Sequence, residues 1–365
     1  MNIVSTPLES VPPYSILAED VYVNFTLISP SGSILTPTLL SNIKKYQLES
    51  LNIWVDEKKD SSPPPAALTR KTQLEQMKQS SDFKEFKQNY TSTLSSFQQN
   101  MYALVNDPSH QQEVINSIVE ESLHYSELHT SEEYNALDMI ICMKEFDDST
   151  FSHSLNVSLI CEAFGSWLNM SKENIELLRL AGLLHDIGKL TIDKDIITKP
   201  GKLLDHEFNE IKKHPLAGYQ ILKNTDLDVR IHYAALQHHE KIDGSGYPFG
   251  IKEKQIHYIS KIVSIVDVYE AMTATRCYRK PMCPFKVLQI MRHDATTKYD
   301  LNLIATFFSG ITSTYINKSV ELSDGSKGVV KYTAKSEFDK PTIVCFNGKI
   351  IHMKEHPELY IKELI

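Results

Sequence analysis

The sequence predicts a mainly helical protein with a small α/β unit near its N-terminal end and a small antiparallel β unit near its C-terminal end. Residues 73–145 contain no glycine and are rich in Gln, Glu, Ser and Leu, a composition that favours helices. Ile175, Leu178 and Ala181 recur at helical spacing. Residues 318–352 instead consist of short alternating apolar runs separated by turn residues, which is typical of β-hairpins.

The segment near the N-terminal end is expected to combine strands and one helix. The apolar alternation from Val21 to Leu27 predicts a half-buried strand. Pro37 suits the first turn of a helix, which we expect to end near Leu51. Ile53-Trp54-Val55 would form the returning strand. This segment contains no cluster of His, Cys, Asp and Glu, so a packing or dimerisation module is favoured over a ligand sensor.

Composition shifts divide the chain into five segments. The run Pro63-Pro64-Pro65 marks a polar, semi-rigid linker. We expect these boundaries: a small N-terminal α/β domain at 1–56, a Pro-rich linker at 57–72, a helical connecting region at 73–144, a larger helical bundle at 145–317 and a C-terminal β appendage at 318–365.

The composition excludes several classes of protein. The net charge of −8 argues against binding of DNA or RNA polymers, which needs a basic face. Apolar residues make up 41% of the chain, enough for sizeable cores, but no run of about 18 of them occurs that could span a membrane. The five cysteines are scattered and no secretory signal is apparent, so we expect free thiols and a cytoplasmic location.

His185 and Asp186 form the most informative pair in the sequence. His185 follows an apolar helical run and falls on its inward face, where a histidine alone could equally be a core residue bonded to a backbone carbonyl. The adjacent carboxylate changes this interpretation, because an unpaired buried charge is very costly. Asp186 therefore needs a cation, and a metal ion would supply it.

The chain offers further ligands at intervals of 24 to 32 residues, about one helix and its connection each. These candidates are His153, His214, His238, His239 and Asp267. Five histidines and two aspartates exceed the ligands of one tetrahedral zinc ion. They suit two adjacent divalent metal ions bridged by a carboxylate and a water, and the mixed donors favour iron or manganese, with zinc as an alternative.

An ordered set of motifs surrounds these candidates. The motifs are His153-Ser154, His185-Asp186-Ile187-Gly188-Lys189, Lys199-Pro200-Gly201, His214-Pro215, the run from His238 to Pro248, the run from Asp267 to Thr273, and the run from Arg276 to Arg279. On this set the sequence resembles, over residues 145–312, the HD-GYP family, a branch of the HD metal-dependent phosphohydrolases. The resemblance implies an HD-type helical bundle that hydrolyses a cyclic dinucleotide, chiefly cyclic di-GMP to linear pGpG in bacteria, with further cleavage to GMP left open.

The resemblance also assigns roles to individual residues. One metal ion would be held by His153, His185, Asp186 and Asp267. The other would be held by Asp186, His214, His238 and His239, so that Asp186 bridges the two. Lys189 is expected to contact the scissile phosphate, which makes it, with Asp186, an expected catalytic residue.

Two further motifs are expected to meet the substrate or a partner. Arg276 and Arg279 would bind substrate phosphate through their planar guanidinium groups, with surface salt bridges as the alternative. Gly246, Tyr247 and Pro248 lie in a loop directly after two of the ligands. That loop would form a wall of the substrate pocket or a docking surface for a GGDEF-type protein partner.

One position departs from the family. Some members hold a third metal ion through a glutamate four residues before the first ligand histidine, and here that position is Ser149, with Asp147 and Asp148 out of register. We therefore predict two metal ions. From this count we also expect hydrolysis to stop more readily at the linear dinucleotide.

Alternatives stay open at the level of the sequence. No motif in the sequence distinguishes one nucleobase from another, so another cyclic dinucleotide such as cyclic GMP-AMP could be the substrate. A catalytically silent receptor for the nucleotide is disfavoured, because every ligand for two metal ions is present. The sequence is also compatible with a homodimer.

Overall fold

The computed structural model describes the chain except for residues 1, 13–14, 20, 24–25, 30–32, 34, 36, 47, 49, 56–72, 128–135, 144–149, 200, 275–280 and 334–336. The chain divides into two compact units, Met1–Arg70 and Lys71–Ile365. The proposed Pro-rich linker lies outside the described residues. The five segment boundaries given above stay predictions.

The smaller unit is built on a three-stranded antiparallel sheet, in which the strand Ser50–Val55 lies between the strands Asn2–Pro7 and Ile16–Leu17. Its elements are β1 (Asn2–Pro7), a short 3-10 helix (Leu8–Ser10), β2 (Ile16–Leu17), β3 (Val21–Val23), β4 (Thr26–Ser29), α1 (Pro37–Lys44) and β5 (Ser50–Val55). Leu17, Leu35 and Ile43 are fully buried in its core. The predicted small α/β unit is therefore confirmed as a fold class.

Two local predictions for this unit are wrong. The expected strand from Val21 to Leu27 is a pair of short strands, because β3 and β4 pair antiparallel with each other. The helix that begins at Pro37 ends at Lys44 rather than near Leu51. Leu51 belongs to β5, whose backbone pairs with β1 on one side and with β2 on the other. The hydrogen bonds of a central strand thus outweigh a local tendency to continue the helix.

The larger unit is a helical bundle that ends in a five-stranded antiparallel sheet. Its helices are α2 (Gln73–Gln79), α3 (Ser81–Asn106), α4 (Gln111–Glu127), α5 (Ala136–Met143), α6 (Thr150–Trp167), α7 (Lys172–Leu184), α8 (Lys194–Ile197), α9 (Asp205–Ile211), α10 (His214–Leu222), α11 (Val229–Gln237), α12 (Tyr258–Thr273), α13 (Pro284–Lys298) and α14 (Leu301–Thr314). Two short 3-10 helices lie at Ile187–Thr191 and Glu253–Gln255. No helix in the described part of the chain is long and apolar enough to cross a membrane.

Side-chain caps fix where several of these helices begin. Ser171 caps α7, since its side chain accepts a hydrogen bond from Asn174 N. Ser80 caps α3 in the same way through Phe83 N. Each cap satisfies a backbone donor that the first turn of a helix leaves unpaired. Polar residues just before the apolar runs therefore set the register in which α3 and α7 present their buried faces.

Helix α6 runs through the centre of the bundle. Residues 151–161 are buried without interruption, so this part of the helix has no solvent face. Its contact with α7 is close, because a β-carbon at Gly182 would lie 3.1 Å from Ser158 Cα. Helices α3, α5, α12 and α14 also contact α6. A polar side chain on such a helix is held away from water by packing on all sides.

The C-terminal sheet contains five strands: β6 (Ser319–Leu322), β7 (Lys327–Tyr332), β8 (Thr342–Cys345), β9 (Ile350–His352) and β10 (Ile361–Leu364). Their order in the sheet is β10-β6-β7-β8-β9. Val320 and Leu322 are fully buried and their neighbours are not, which is the period-two pattern that predicts this sheet. The mainly helical fold class with small sheets at both ends is thus confirmed; β10 is an addition to the predicted strands.

Candidate metal centre

The seven side chains predicted as metal ligands meet at one point of the bundle. Their positions are His153 in the first turn of α6, His185 and Asp186 directly after α7, His214 at the start of α10, His238 and His239 directly after α11, and Asp267 within α12. Six of the seven are buried, and His239 keeps 19% of its side chain exposed. Five rigid helices thus position the whole set.

The Asp186 carboxylate lies between two groups of histidines. Its Oδ1 is 3.2 Å from His214 Nε2 and 3.6 Å from His238 Nε2. Its Oδ2 is 3.4 Å from His185 Nε2 and 3.5 Å from His153 Nε2. Each carboxylate oxygen therefore faces a different pair of imidazoles, so each oxygen would be available to a separate metal ion.

Asp267 completes the centre from α12. Its Oδ1 lies 3.2 Å from His153 Nε2 and 3.9 Å from His185 Nε2. Its Oδ2 lies 3.7 Å from His239 Nδ1. The second carboxylate is therefore placed beside the histidines that face Asp186 Oδ2.

Backbone carbonyls fix the orientation of three of the histidine rings. Each ring uses Nδ1 toward a carbonyl of the preceding turn: His185 to Gly182 O at 2.7 Å, His214 to Ile211 O at 2.7 Å, and His238 to Ala234 O at 3.0 Å. A carbonyl only accepts, so Nδ1 must carry the proton and Nε2 the lone pair. The lone pairs therefore face the centre before any ion binds, as in metal sites whose ligands are held from behind.

The donor set fits divalent metal ions. His185 Nε2 and Asp186 Oδ1 are buried without a hydrogen-bond partner among the described residues. His214 Nε2 and His238 Nε2 lie only 3.1 Å apart. Two groups have ligand atoms that all lie within 4.8 Å of one another: Asp186, His214, His238 and His239, and His153, His185 and Asp186. Buried acceptors this close together are stabilised by cations between them.

The charges of the site suit metal ligation. Burial raises the pKa of Asp186, but the Lys189 ammonium and His185 outweigh it and hold that pKa well below its usual range. Burial likewise raises the pKa of Asp267, and neighbouring histidines lower it well below its usual range. Burial lowers the pKa of His238 to about 4. The carboxylates are therefore ionised and His238 is neutral near pH 7, as binding to a metal ion requires.

Lys189 lies at the edge of the centre, on the 3-10 helix that follows Asp186. Its Nζ is 2.5 Å from Asp186 Oδ2, and 23% of its side chain is exposed. Gly188 allows this turn to approach α10, because a β-carbon there would lie 2.0 Å from His214 O. The Lys189 ammonium group therefore lies between the buried Asp186 carboxylate and solvent.

The loop Gly246-Tyr247-Pro248 packs directly against the candidate ligand His239. The Tyr247 ring stacks on the His239 ring with centroids 4.5 Å apart. A β-carbon at Gly246 would lie 2.4 Å from His239 O, so only glycine allows this approach. Glu240 holds the far side of the loop by accepting hydrogen bonds from two backbone N–H groups. The loop therefore forms a wall beside the metal centre.

Phe208 of α9 continues this wall outward. Its ring meets the Tyr247 ring edge-on with centroids 6.4 Å apart, and 44% of the residue is exposed. Lys212 Nζ lies 4.6 Å from the centre of the Phe208 ring. An exposed aromatic face and a cation therefore stand next to the metal centre, and the family motifs include neither.

Glu270 is a buried residue of the site that the motifs do not assign. Its Oε2 accepts a hydrogen bond from His153 Nδ1, and it is 1% exposed. Burial alone would lower the pKa of His153, but the carboxylates of Glu270 and Asp267 raise it to about 9. Glu270 lies one helical turn after Asp267 on the same face of α12, a spacing that could have identified it.

Five residues of the predicted site region lie outside the described residues. They are Arg276 and Arg279, expected to bind phosphate, and Asp147, Asp148 and Ser149, which bear on a third metal ion. The roles assigned to them stay predictions.

The helical bundle and its cluster of His and Asp side chains have counterparts in known proteins. Residues 129–303 match the family described as HD domain. A "Cyclic di-GMP phosphodiesterase" of Pseudomonas aeruginosa is 33% identical over 197 residues, which are 54% of this chain and 47% of that protein. "3'3'-cGAMP-specific phosphodiesterase 1" of Vibrio cholerae is 38% identical over 147 residues, 40% of this chain and 34% of that protein.

A third relative extends the comparison. "Cyclic di-GMP phosphodiesterase PdeB" of Borreliella burgdorferi is 30% identical over 206 residues, 56% of this chain and 54% of that protein. The chain therefore spans about half or less of the length of these curated relatives. Residues 129–303 therefore form an HD domain, and the His185-Asp186 pair and the Gly246-Tyr247-Pro248 loop within it are similar to the motifs of the HD-GYP branch.

Proposed function

We propose that this chain is a metal-dependent phosphodiesterase that hydrolyses cyclic di-GMP to linear pGpG. The observation that carries this proposal is the Asp186 carboxylate, whose two oxygens face different histidine pairs. A carboxylate shared in this way suits two metal ions close together, the arrangement that stabilises in-line displacement at phosphorus. Two relatives at 30% and 33% identity are named cyclic di-GMP phosphodiesterases, which supports the substrate class.

The proposed cofactors are two divalent metal ions, iron or manganese, with zinc as the alternative. One would be held by His153, His185, Asp186 and Asp267, and the other by Asp186, His214, His238 and His239. When bound, the ions would supply Lewis-acid activation of a water molecule near neutral pH. The count of two rests on Ser149, which offers a poor ligand where three-metal members have a glutamate. From that count we propose that the linear dinucleotide accumulates before any GMP.

The chain's own side chains would bind and orient the substrate. The Lys189 ammonium group is partly exposed beside Asp186, so it can meet the negative charge of the scissile phosphate. We propose that Arg276 and Arg279 hold phosphate oxygens through bidentate hydrogen bonds. Tyr247, fixed on His239, would close one side of the pocket and limit the entry of water.

Product analysis of purified, anaerobically metal-loaded protein tests the proposal. Cyclic di-GMP and cyclic GMP-AMP are incubated side by side, and the products are separated by chromatography. Asp186→Asn keeps the size of the side chain but removes the charge that both metal ions would share. Asp195→Asn, the same change at an exposed position in α8, is the matched control.

We expect linear pGpG from the unaltered protein and from Asp195→Asn, and a loss of at least about 1,000-fold in kcat for Asp186→Asn, the scale seen when an essential group is removed. Equal turnover by Asp186→Asn and the control would contradict a metal-centred mechanism. Measurable nucleotide binding without turnover, under iron, manganese and zinc in separate trials, would instead support a silent receptor.

Cyclic GMP-AMP is the second candidate substrate. The Vibrio cholerae relative named for this nucleotide is 38% identical over the shared region, a higher identity than that of the two cyclic di-GMP phosphodiesterases. Both nucleotides present the same phosphodiester to the metal centre, so any preference for one of them must come from contacts with the nucleobases. A higher kcat/KM for cyclic GMP-AMP in the same assay would decide in its favour.

Partners and location complete the proposal. A GGDEF-type protein would dock on the Gly246-Tyr247-Pro248 loop, and a homodimer is compatible with the chain. We also propose a cytoplasmic location, because the five cysteines are scattered along the sequence without the spacing of a disulfide framework.

A further inference from the structure

A buried path of hydrogen bonds connects helix α3 with the ligand His153. The Tyr90 hydroxyl donates to Asn156 Oδ1 at 3.0 Å. Asn156 Nδ2 donates to Glu270 Oε1 at 2.9 Å. Glu270 Oε2 accepts from His153 Nδ1. Tyr90 and Glu270 are each 1% exposed, and Asn156 is 7% exposed, so the path lies in the protein interior.

Only one arrangement of donors and acceptors satisfies this path. The Glu270 carboxylate can only accept, so the Asn156 amide nitrogen must face it. The Asn156 carbonyl oxygen must then face Tyr90, and the Tyr90 hydroxyl must donate. At the other end, a proton on His153 Nδ1 leaves Nε2 to face the carboxylates of the metal centre. The Tyr90 hydroxyl thus sets an orientation that reaches a metal ligand.

We propose that Tyr90 is a positioning residue of the metal centre, acting through Asn156 and Glu270 to orient His153. This inference rests on the metal-binding role proposed above for His153. Among the described residues, the Tyr90 hydroxyl lies 3.0 Å from the Asn156 side-chain oxygen and 3.3 Å from Ser152 O, so the side chain is the nearer of these acceptors. If the Tyr90 hydroxyl only needed a buried acceptor, Ser152 O would be sufficient. The Tyr90 hydroxyl would then not fix which end of the Asn156 amide faces Glu270.

Tyr90 lies on helix α3, outside the residues that match the HD domain family. Tyr90 precedes residue 129, where the match to the HD domain family begins. Helix α3 is anchored through its buried Phe83, Phe86 and Phe97 side chains, and it contacts α6 as well as the 3-10 helix that carries Lys189. Helix α3 therefore packs directly against elements that carry candidate site residues.

Metal titration tests this role without any substrate. Metal-free Tyr90→Phe and Glu270→Gln are titrated with Mn²⁺ alone in a calorimeter, beside the unaltered protein. Tyr102→Phe is the matched control, because it removes a hydroxyl from the same helix at a position that is 43% exposed. Thermal unfolding of the metal-free proteins shows first that each variant is folded. Asn156→Ala breaks the same link from its other side and replaces Tyr90→Phe if that variant does not fold.

We expect Glu270→Gln to weaken one Mn²⁺ site about 10- to 100-fold, the effect seen when the group behind a metal-bound histidine is changed. Tyr90→Phe should weaken the same site by about three- to tenfold, since it acts one step further away. Tyr102→Phe should stay within about twofold of the unaltered protein. At saturating Mn²⁺ the turnover of Tyr90→Phe should recover, while the Mn²⁺ concentration for half-maximal activity rises.

Two results would overturn the inference. Identical Mn²⁺ affinity in Tyr90→Phe and Tyr102→Phe would show that the hydroxyl has a packing role only. A lower kcat in Tyr90→Phe that saturating Mn²⁺ does not restore would place the effect elsewhere than in metal binding. The titration also separates this inference from the proposed activity, because weaker Mn²⁺ binding in a protein that cleaves no cyclic dinucleotide would contradict only the activity.

Discussion

A backbone carbonyl behind each of three histidines decides which ring nitrogen faces the metal centre. His185, His214 and His238 all donate from Nδ1 to a backbone carbonyl three or four residues earlier in the chain. These hydrogen bonds join each ring to the backbone, so the three rings are oriented before any metal ion binds. A prepared site loses less conformational entropy when the metal binds. Asparagine or glutamine at these positions would keep a polar atom but not this rigid geometry.

The first residue-scale prediction concerns the glycine of the loop. Gly246→Ala would place a β-carbon 2.4 Å from His239 O and 2.5 Å from Glu240 Cα. Both neighbours are backbone atoms that cannot move aside, so we expect a loss of about 3 kcal/mol in the free energy of unfolding. Chemical denaturation measures that loss. Because His239 must shift, metal content per chain should fall as well.

Ser245→Ala, at the preceding position of the loop, is the control and should change the free energy of unfolding by less than about 0.5 kcal/mol. Full metal content and unaltered stability in Gly246→Ala would show that the loop does not press on His239.

Residues differ in how far the sequence could predict them. The sequence predicts His185 and Asp186 as ligands, because a carboxylate beside a histidine on an apolar helix face needs a cation. The surrounding motifs then predict the other five candidate ligands. Glu270 could have been found from its spacing to Asp267. Tyr90 could not, because its link to Asn156 spans 66 residues and depends on how α3 packs against α6. Hydrogen bonds between helices leave no periodic pattern in a sequence.

At the scale of elements, the short helix α9 and the loop after α11 form one aromatic wall. Phe208 projects from α9 and meets Tyr247, which in turn stacks on His239. The wall therefore starts at the candidate metal ligand His239 and ends at the exposed Phe208 ring. A nucleobase joined to a phosphate at the metal centre would extend outward along such a surface. Stacking on an aromatic ring contributes about 1–3 kcal/mol per base in nucleic-acid complexes.

Phe208→Ala should accordingly raise KM for cyclic di-GMP by about five- to tenfold with little change in kcat, the lower end of the effect of one stacked base. Steady-state kinetics on the metal-loaded protein measure this. Hydrolysis of bis(p-nitrophenyl) phosphate, a phosphodiester without a nucleobase, should be unchanged in the variant. Leu204→Ala removes another exposed apolar side chain, the one that precedes α9, and serves as the control. Equal losses on both substrates would place the damage in the metal centre instead of in base stacking.

Elements with a buried face of clear period were predicted, and those without one were not. The apolar spacing of α7 and the buried alternation of β6 follow directly from side-chain type. Strand β1 has no such pattern, because Ile3 is 48% and Val4 41% exposed. Its place in the sheet comes from backbone pairing with β5 along its whole length. Pairing between distant segments is a property of the fold that local sequence does not encode.

At the scale of the whole molecule, the proposed metal ions belong to one of the two compact units. All seven candidate ligands lie within Lys71–Ile365, and the core of the smaller unit, around Leu17 and Ile43, has no member among them. A ligand that binds only the folded form of a unit stabilises that unit by mass action. The two units should therefore respond differently when the metal ions are removed.

A chelator should lower the unfolding temperature of the larger unit alone. Free metal ion at about 100 times its dissociation constant stabilises a site by about 2.7 kcal/mol. Two such sites together contribute about 5 kcal/mol, which for a unit of this size corresponds to roughly 5–10 °C in the unfolding temperature. Differential scanning calorimetry with and without the chelator measures the shift, and Asp186→Asn, which should hold the ions poorly, is the internal control because its scan should not respond. A shift of equal size in Asp186→Asn, or a shift confined to the transition of the smaller unit, would place the metal ions outside the candidate centre.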